Sequence, residues 1–363
     1  MATPEFRAPG PGEFGGEMAG QLPPIPPDQR AFMDYLDAVP ARMIRPLPNL
    51  AEHANHMGVV EDQAGLAERL FIGVAPDILQ PFKAAGERPG DVTFRPSQLA
   101  QFGKEKSFRG AFFGVLGMTS ESGTRHEEEV VVKQYPLGGE HDATHNAIQE
   151  VTMLAHVKEL GLPTVDVVGV MVNRYPSEGR PIMYVITRHK QGLESMDELS
   201  WRGITTADMP DRLHPVLDTL ESLHGNLVFS GDPKFKNIGL GEDGKPIIFD
   251  LEHATSAREL VAGMNEENQE EVQERLVRLM GIDFSHVAVS LDGIVYSNLP
   301  ENERPRTPME RFDFELAHVM EPYHLRLMEG NSPYKDVLNQ TYNRVLQQRR
   351  EQAMRAQGAS DQN

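Results

Sequence analysis

Two oxygen-bearing side chains flank a predicted hairpin in "SGDPKFKNIGLGEDGKPIIFD", residues 230–250. Asp243 and Gly244 are a strong two-residue turn signal, because a type I′ turn needs positive φ at both central positions. A hairpin centred there places Asn237 opposite Asp250 at its open end, with Cβ atoms about 4.5–5.5 Å apart. An amide oxygen and a carboxylate at that distance can share Mg²⁺, which prefers a few protein oxygens together with substrate phosphates. The alternative is a surface hairpin with polar ends.

The elements that must position this hairpin fall into two blocks. From about residue 101 the pattern is strand-rich, with "RGAFFGVLGM" and "EEEVVVKQY" before a helix and "VDVVGVMV" and "PIMYVITR" after it. We interpret 101–188 as a lobe of three strands, one helix and two more strands. The helix "ATHNAIQEVTMLAHVKELG" carries an apolar face formed by Ile148, Val151, Leu154, Ala155 and Val157.

Residues 189–345 are predicted to be mainly helical around the hairpin. The helix "MPDRLHPVLDTLESLHG" is amphipathic, with an apolar stripe of Leu213, Val216, Leu217, Leu220 and Leu223. Two further segments, "SARELVAGMNEENQEEVQERLVRLMG" and "MERFDFELAHVMEPYHLRLMEG", also predict helices.

The two ends of the chain predict less structure. Residues 1–30 are rich in proline and glycine and are expected to be a disordered tail. Residues 31–100 look mainly helical, and we interpret them as an accessory segment that packs on the part of the chain after residue 100. Residues 346–363 are polar and are expected to fray as a C-terminal tail. The segment 1–100 could provide a docking surface for a protein partner.

Composition excludes several classes of function. The 363-residue chain has a net charge of −19 and no cysteine. The acidity argues against binding to nucleic-acid backbones and to anionic membranes. The absence of cysteine excludes disulfide frameworks, thiolate nucleophiles and thiolate zinc sites. There is no secretory signal pattern and no run of about 20 apolar residues, so we expect a soluble cytoplasmic protein.

Five polar residues in a fixed order resemble the motifs of the protein-kinase-like superfamily. Lys133 ends "VVVK" on the third predicted strand, as the lysine of V-A-I-K does, and Glu150 follows 17 residues later on the helix of that lobe. "SGDPKFKN" is similar to the catalytic loop, with Asp232 at the catalytic aspartate and Asn237 at the metal-binding asparagine. "FDLE" is similar to the D-F-G segment and places Asp250 at the metal-binding aspartate.

The resemblance implies an α+β fold of two lobes and a role for each of these residues. The N-lobe would have five antiparallel strands and one helix, the C-lobe would be mainly helical, and a helical extension would precede both. Lys133, held by Glu150, would contact the ATP phosphates. Asn237 and Asp250 would hold Mg²⁺, and Asp232 would accept or orient the proton of the attacking hydroxyl.

Other positions extend or weaken the resemblance. Lys234 stands where many protein kinases place a lysine that faces the transferred phosphate. Ser107, Phe108 and Arg109 could form the tip of a phosphate-covering hairpin, although no G-x-G-x-x-G is present. Ser230 stands where the family usually has histidine two residues before the catalytic aspartate.

Two further departures bear on the type of enzyme. Glu252 replaces the glycine of D-F-G, and there is no A-P-E motif. The segment after Asp250 is also short, so the layout resembles aminoglycoside phosphotransferases and other small-molecule kinases more than regulated protein kinases.

These observations predict an ATP- and Mg²⁺-dependent phosphotransferase that acts on a hydroxyl acceptor, with a small molecule favoured. A protein kinase and an adenylyltransferase stay open, because both reuse the same metal site. The alternative from a different class is a pseudokinase, which would bind nucleotide or nothing and serve as an interaction scaffold. The five retained polar residues favour the enzyme, whereas Ser230, Glu252 and the missing glycine-rich loop favour the scaffold.

Overall fold

The computed structural model describes most of the chain after residue 68. The described residues are 69–74, 76–87, 89–102, 111–120, 122–136, 143–173, 182–241 and 244–360. The predicted tail at 1–30, most of the predicted segment 31–100, and the predicted loop residues Ser107, Phe108 and Arg109 lie outside them. The fold of the described residues is α+β, with antiparallel sheets and several helices.

The contacts divide the chain into two compact units. In the described residues, unit 1 comprises 69–155 and 166–189, and unit 2 comprises 156–165 and 190–360.

Unit 1 is built on a six-stranded antiparallel sheet of order β1-β5-β6-β4-β3-β2. Its elements are β1 (Arg69–Val74), α1 (Pro76–Ala84), β2 (Pro89–Phe102), β3 (Ala111–Ser120), β4 (Arg125–Pro136), α2 (Thr144–Glu159), β5 (Val167–Asn173) and β6 (Ile182–Arg188). The last residues of α2 belong to unit 2. Strand β4 lies between β3 and β6, so its backbone is paired on both sides.

The core of unit 1 contains the apolar residues that the sequence pattern selected. On α2, Val151, Leu154 and Ala155 are buried as predicted, while Ile148 is only partly buried. The predicted Val157 is also buried, on the part of α2 that belongs to unit 2. On β4, Val130 and Val132 are buried on one face of the strand, in keeping with the two-residue repeat of a sheet. This alternation puts Lys133 on the opposite face of β4.

The prediction of a helical segment at 31–100 is wrong for β1 and β2. Both strands lie at edges of the sheet, β1 beside β5 and β2 beside β3. Strand β2 contains Pro89 and Pro96, which an edge strand tolerates because one side of its backbone needs no partner. Pairing also shifts register between Pro96 and Gln101. The sheet therefore has six strands where five were predicted, and unit 1 begins before residue 101.

Unit 2 is mainly helical in its described residues. In chain order its elements are β7 (Glu194–Ser195), α3 (Met209–His224), β8 (Val228–Phe229), β9 (Ile238–Leu240), β10 (Pro246–Ile248), β11 (Thr255–Ser256), α4 (Arg258–Ala262), α5 (Gln269–Ser290), α6 (Pro308–Glu315), α7 (Glu321–Glu329) and α8 (Lys335–Ser360). Strands β7, β9 and β10 form one small antiparallel sheet, and β8 pairs with β11. The predicted stripe on α3 is confirmed, since all five of its apolar residues are buried in the core of this unit.

The C-terminal segment is helical rather than frayed. Helix α8 continues to Ser360, and its Val345 and Ala353 are buried. Arg349 forms an ion pair with the buried Glu315 of α6, with 2.6 Å between Nη2 and Oε2. The prediction of a polar tail from 346 is therefore wrong for residues 346–360, because a few apolar and paired positions suffice to dock a polar helix.

One helical run in the described residues, Gln269–Asn298, has the length and composition of a membrane span. Half of its most apolar window is buried inside the protein. A core helix of a soluble protein has the same properties, so this run is weak evidence for a membrane.

Candidate active site

Lys133 and Glu150 form an ion pair within unit 1. The Lys133 Nζ atom donates to Glu150 Oε1 at 2.7 Å, from the centre of the sheet to helix α2. The Glu150 side chain is 1% exposed, whereas that of Lys133 is 23% exposed. A buried carboxylate thus anchors a lysine whose side chain keeps access to solvent. The pairing that the family resemblance implied is present as a contact.

Tyr135 is a third member of this cluster that sequence reasoning missed. Its hydroxyl donates to the other oxygen of Glu150, Oε2, in a very short contact. Tyr135 lies two residues after Lys133 on β4, so both side chains leave the same face of the strand. That two-residue spacing was the available signal. The two donors fix the Glu150 carboxylate from both oxygens.

The loop that carries Asp232 is held by a carboxylate on α5. Asp283 accepts the backbone N–H of Ser230 at Oδ2, 2.9 Å away, and that of Gly231 at Oδ1, 2.7 Å away. The side chain of Asp283 is fully buried. Because both amides immediately precede Asp232, this contact fixes the backbone from which the Asp232 side chain leaves.

Asp283 is in turn held by a buried histidine. His224 Nε2, at the end of α3, lies 2.9 Å from Asp283 Oδ2, and His224 Nδ1 lies 2.9 Å from the Tyr323 hydroxyl of α7. Burial raises the pKa of Tyr323 well above its usual range, so its hydroxyl stays protonated. Sequence reasoning missed all three residues, since His224 is 59 residues from Asp283 and 99 residues from Tyr323 in the chain.

Asp232 faces a lysine and a histidine. Its Oδ1 atom lies 2.8 Å from Lys234 Nζ, which is an ion pair by distance, and 2.9 Å from His286 Nδ1, and neither contact is an aligned hydrogen bond. The Asp232 side chain is 14% exposed. Burial raises the pKa of this carboxyl, but His286 and Lys234 outweigh burial and lower it to about 2. Asp232 is therefore a carboxylate at neutral pH.

Asn237 is oriented by the same loop. Its Nδ2 atom donates to the backbone carbonyl of Asp232 at 2.9 Å and to Asp232 Oδ2 at 3.3 Å. The residue is 3% exposed. Since the NH₂ group is used in these bonds, the carbonyl oxygen is the atom that can accept a cation. The donor set of an amide oxygen on Asn237 and a carboxylate on Asp250 fits Mg²⁺, which is bound through oxygen atoms.

The hairpin has a different register from the predicted one. The observed pairs are Leu240 with Pro246, Gly239 with Ile247 and Ile238 with Ile248, so Phe249 lies opposite Asn237. The Phe249 N–H accordingly donates to the Asn237 carbonyl at 3.2 Å. The prediction that Asn237 lies directly opposite Asp250 is therefore wrong, since Asp250 is the residue after Phe249.

The physical reason is the turn. Gly241 accepts the N–H of Gly244 at 2.9 Å and donates to the carbonyl of Lys245 at 3.0 Å. Gly244 has φ +73°. This is the pattern of a three-residue loop with a left-handed residue at its end, rather than of a two-residue type I′ turn. Because the loop has one residue more than predicted, the register of the two strands is shifted by one residue.

Gly231 packs closely on the segment that follows Asp250. It has φ +73°, and a Cβ atom there would lie 2.3 Å from the carbonyl oxygen of His253. In that segment, Leu251, the residue after Asp250, is fully buried, and Glu252 forms an ion pair with His253 at 3.2 Å. No residue other than glycine fits at 231 without a backbone shift, which explains the residue type before Asp232.

The single tryptophan of the chain packs on this loop. Trp201 is 3% exposed, donates from Nε1 to the Met196 carbonyl at 2.8 Å, and stacks on Phe235 with ring centroids 5.4 Å apart. Phe235 lies between Asp232 and Asn237 in sequence. Ser230 is also fully buried, and its Oγ atom has no hydrogen-bond partner among the described residues.

Comparison with known proteins gives no family model that matches the chain and no curated protein that matches its sequence.

Proposed function

We propose that the protein is an ATP- and Mg²⁺-dependent phosphotransferase with a protein-kinase-like, two-lobed fold, which moves the γ-phosphate of ATP to a hydroxyl acceptor. The observation that carries this proposal is the Lys133–Glu150 pair, with a 2.7 Å contact to a carboxylate that is 1% exposed. A lysine fixed in this way is a preorganised point charge of the kind that phosphate groups need.

The loop of unit 2 supports the same proposal independently. Asp232 is ionised, Asn237 is held by the backbone of Asp232, and Asp283 fixes the two amides before Asp232. A protein catalyses phosphoryl transfer mainly by positioning the reactants and by neutralising the charge of the phosphates. A loop whose backbone and side chains are both fixed can position the reactants.

Each residue has a defined role in the proposed reaction. Lys133 binds the α and β phosphates, and Asp232 orients the attacking hydroxyl. Lys234, 2.8 Å from Asp232, is the cation that faces the transferred phosphoryl group. Asn237 and Asp250 would hold Mg²⁺, which would neutralise charge on the phosphates.

We favour a small molecule as the acceptor. The segment between Asp250 and helix α4 is short and contains the two-residue strand β11 and its connections. That length leaves little room for a platform that would align an extended peptide.

The experiment that tests the proposal is Mg²⁺-dependent binding of ATP, measured by thermal shift. The wild-type chain should be stabilised by ATP with Mg²⁺ and less by ATP with EDTA, because a ligand that binds the folded state raises its melting temperature. Lys133→Met should weaken this stabilisation. Asn237→Ala should reduce its dependence on Mg²⁺.

Two results would count against the proposal. If ATP does not stabilise the wild-type chain with or without Mg²⁺, the nucleotide-site assignment is wrong and an interaction scaffold becomes the better interpretation. If ATP stabilises the wild-type and Lys133→Met chains equally, Lys133 is not a phosphate ligand. As a matched control, Lys190→Met removes a lysine that donates to a backbone carbonyl at 2.8 Å, and it should leave the ATP shift unchanged.

A further inference from the structure

One face of helix α5 carries three polar side chains that contact the loop of Asp232. Asp283, His286 and Ser290 are spaced by three and four residues, and side chains with this spacing lie on the same face of a helix. Asp283 is fully buried, and Ser290 is 6% exposed. Since α5 is a continuous helix of 22 residues, this face is a rigid support for the loop.

Each of the three side chains contacts a different part of the loop. Asp283 accepts the N–H groups of the two residues that precede Asp232. Ser290 Oγ accepts the N–H of Phe235, three residues after Asp232, at 3.2 Å. Between these two contacts, His286 Nδ1 lies 2.9 Å from Asp232 Oδ1. The same helix therefore holds the backbone on both sides of Asp232 and the Asp232 side chain itself.

The contact between His286 and Asp232 is made by two buried atoms. Nδ1 and Oδ1 are both shielded from solvent, although the two side chains are 30% and 14% exposed. A lone pair on Nδ1 would be repelled by the carboxylate, so we assign the ring proton to Nδ1. With the proton there the contact is attractive, and the removal of His286 would cost Oδ1 a buried partner.

The two oxygens of the Asp232 carboxylate have different surroundings. Oδ1 is buried, and it lies 2.9 Å from His286 Nδ1 and 2.8 Å from Lys234 Nζ. Oδ2 accepts from Asn237 Nδ2 at 3.3 Å, which is long for a hydrogen bond. The exposed part of the side chain does not include Oδ1, so a hydroxyl group that binds to this carboxylate has to bind at Oδ2.

We propose that His286 is a positioning residue for Asp232, which holds Oδ1 from helix α5 so that Oδ2 is presented to the acceptor hydroxyl. Asp232 remains the group that accepts or orients the hydroxyl proton, and His286 acts only through Asp232. This inference rests on the proposed phosphotransferase function. It adds the oxygen of Asp232 at which the acceptor binds and the residue that fixes that oxygen.

Lys234 also contacts Oδ1, but it is the less fixed of the two partners. Its ammonium group ends a flexible four-carbon stem, and its side chain is 32% exposed. In the proposed reaction Lys234 faces the transferred phosphoryl group, and an ammonium group that turns to the phosphate gives up contact with Oδ1. The imidazole of His286 is attached by a short side chain to the helix that holds the loop. His286 is therefore the partner that keeps Asp232 in place during the transfer.

The test compares substitutions of His286 in the full chain by the release of phosphate from ATP with Mg²⁺, with water as the acceptor. Asparagine places its amide nitrogen near the position of Nδ1, glutamine places it near the position of Nε2, and alanine has no such group. His286→Ala and His286→Gln should lower kcat by about 10–100-fold, because the hydroxyl is then misplaced. KM for ATP should stay unchanged, since Lys133 is untouched. His286→Asn should recover most of the lost rate.

The matched control is His214→Ala. His214 forms a similar pair on the surface of α3, with 3.0 Å between its Nε2 atom and Asp218 Oδ2, and its side chain is 58% exposed. This variant should keep the wild-type kcat. Melting temperatures of all variants separate a loss of folding from a loss of rate, and the asparagine and glutamine variants are compared with each other as folded proteins.

The pattern across the variants decides the inference. A wild-type kcat in His286→Ala, or equal kcat values in His286→Asn and His286→Gln, would overturn it, because the contact at Nδ1 would then have no effect on the rate. Either result leaves the proposed function intact, since the wild-type chain still releases phosphate. A wild-type chain that neither binds Mg²⁺–ATP nor releases phosphate would contradict the proposed function, and the inference would fail with it.

Discussion

The carboxylate of Asp283 fixes the backbone at Gly231. Its Oδ1 atom accepts the Gly231 N–H at 2.7 Å, and the carboxylate is fully buried. A charged acceptor that receives two backbone amides and a histidine is costly to replace, because each of its partners would be left buried and unpaired. The residue that follows Gly231 is Asp232, so the same contact links the stability of the unit to the geometry of the candidate site.

Asp283→Asn should reduce both stability and activity. The NH₂ group of asparagine would face one of the backbone N–H groups that now donate to the carboxylate, so two donors would be opposed. We expect a loss of about 2–4 kcal/mol in the free energy of unfolding. Urea denaturation would measure it. The matched control is Asp292→Asn, which breaks an exposed pair with Arg311 and should cost less than about 1 kcal/mol. Equal effects of the two substitutions would show that Asp283 does not anchor the loop.

Gly231→Ala should be more destabilising than Gly244→Ala. Both glycines have φ +73°, so an alanine is strained at either position. At Gly244 nothing lies within 4 Å of the added Cβ, and a cost of about 1 kcal/mol is expected. At Gly231 the Cβ would lie 2.3 Å from the His253 carbonyl oxygen, and the cost should exceed about 2 kcal/mol. Melting temperatures and urea midpoints of the two variants would show the difference, and a similar cost at both positions would contradict the close packing.

Glu150→Met alone should lower the free energy of unfolding more than Glu150→Met combined with Lys133→Met does. The single substitution takes the carboxylate away from the Lys133 ammonium group and the Tyr135 hydroxyl, and it should cost about 3 kcal/mol. Replacing both charges by apolar side chains removes part of that penalty. A double-mutant cycle on the free energy of unfolding measures the coupling between the two residues. Additive effects would show that Lys133 and Glu150 do not interact in solution.

Asp232 should contribute stability that is lost in acid. Its pKa is lowered to about 2 in the folded protein, with His286 and Lys234 outweighing the effect of burial. Because the folded pKa is depressed, the contribution is fully present above the unfolded pKa and declines as pH falls towards 2. The contribution is about 2 kcal/mol at neutral pH, and about half of it should be lost by pH 3.

The measurement is the free energy of unfolding of the metal-free protein from about pH 5 to about pH 3. Wild-type stability should fall with pH more steeply than that of Asp232→Asn. The same slope in both chains would mean that the Asp232 carboxyl titrates normally in the folded state.

The sequence predicted local features of the fold better than long-range ones. The apolar stripe on α3 and most of that on α2 are buried, because amphipathic helices follow a local period that the core must respect. Strand β2 was missed because residues 31–100 were interpreted as mainly helical, and only the place of β2 at the edge of the sheet makes its prolines tolerable in a strand. Edge placement depends on the whole sheet and has no local signal.

The candidate site shows the same contrast. The pairing of Lys133 with Glu150, which the family resemblance implied, is present as a contact. The hairpin register was displaced by one residue, because the dipeptide at 243–244 does not distinguish a two-residue turn from a longer loop with a final left-handed glycine.

The residues that hold the loop were not predicted. Asp283 and His286 lie more than 50 residues after the loop, on a helix that the sequence analysis predicted without assigning it a role in the site. His224 ends a helix that was recognised only for its apolar stripe. Their roles arise from the packing of α3 and α5, which residue spacing does not encode.

The most direct test of the phosphotransferase proposal is release of γ-phosphate and self-modification from ATP with Mg²⁺, comparing the wild-type chain with Asp232→Ala. Intact mass read in parallel separates phosphate transfer from nucleotide transfer. We predict phosphate release by the wild-type chain that is abolished in Asp232→Ala, while ATP binding is retained. Phosphate release that is equal in both chains, or a mass gain of a nucleotide in place of a phosphate, would contradict the proposal.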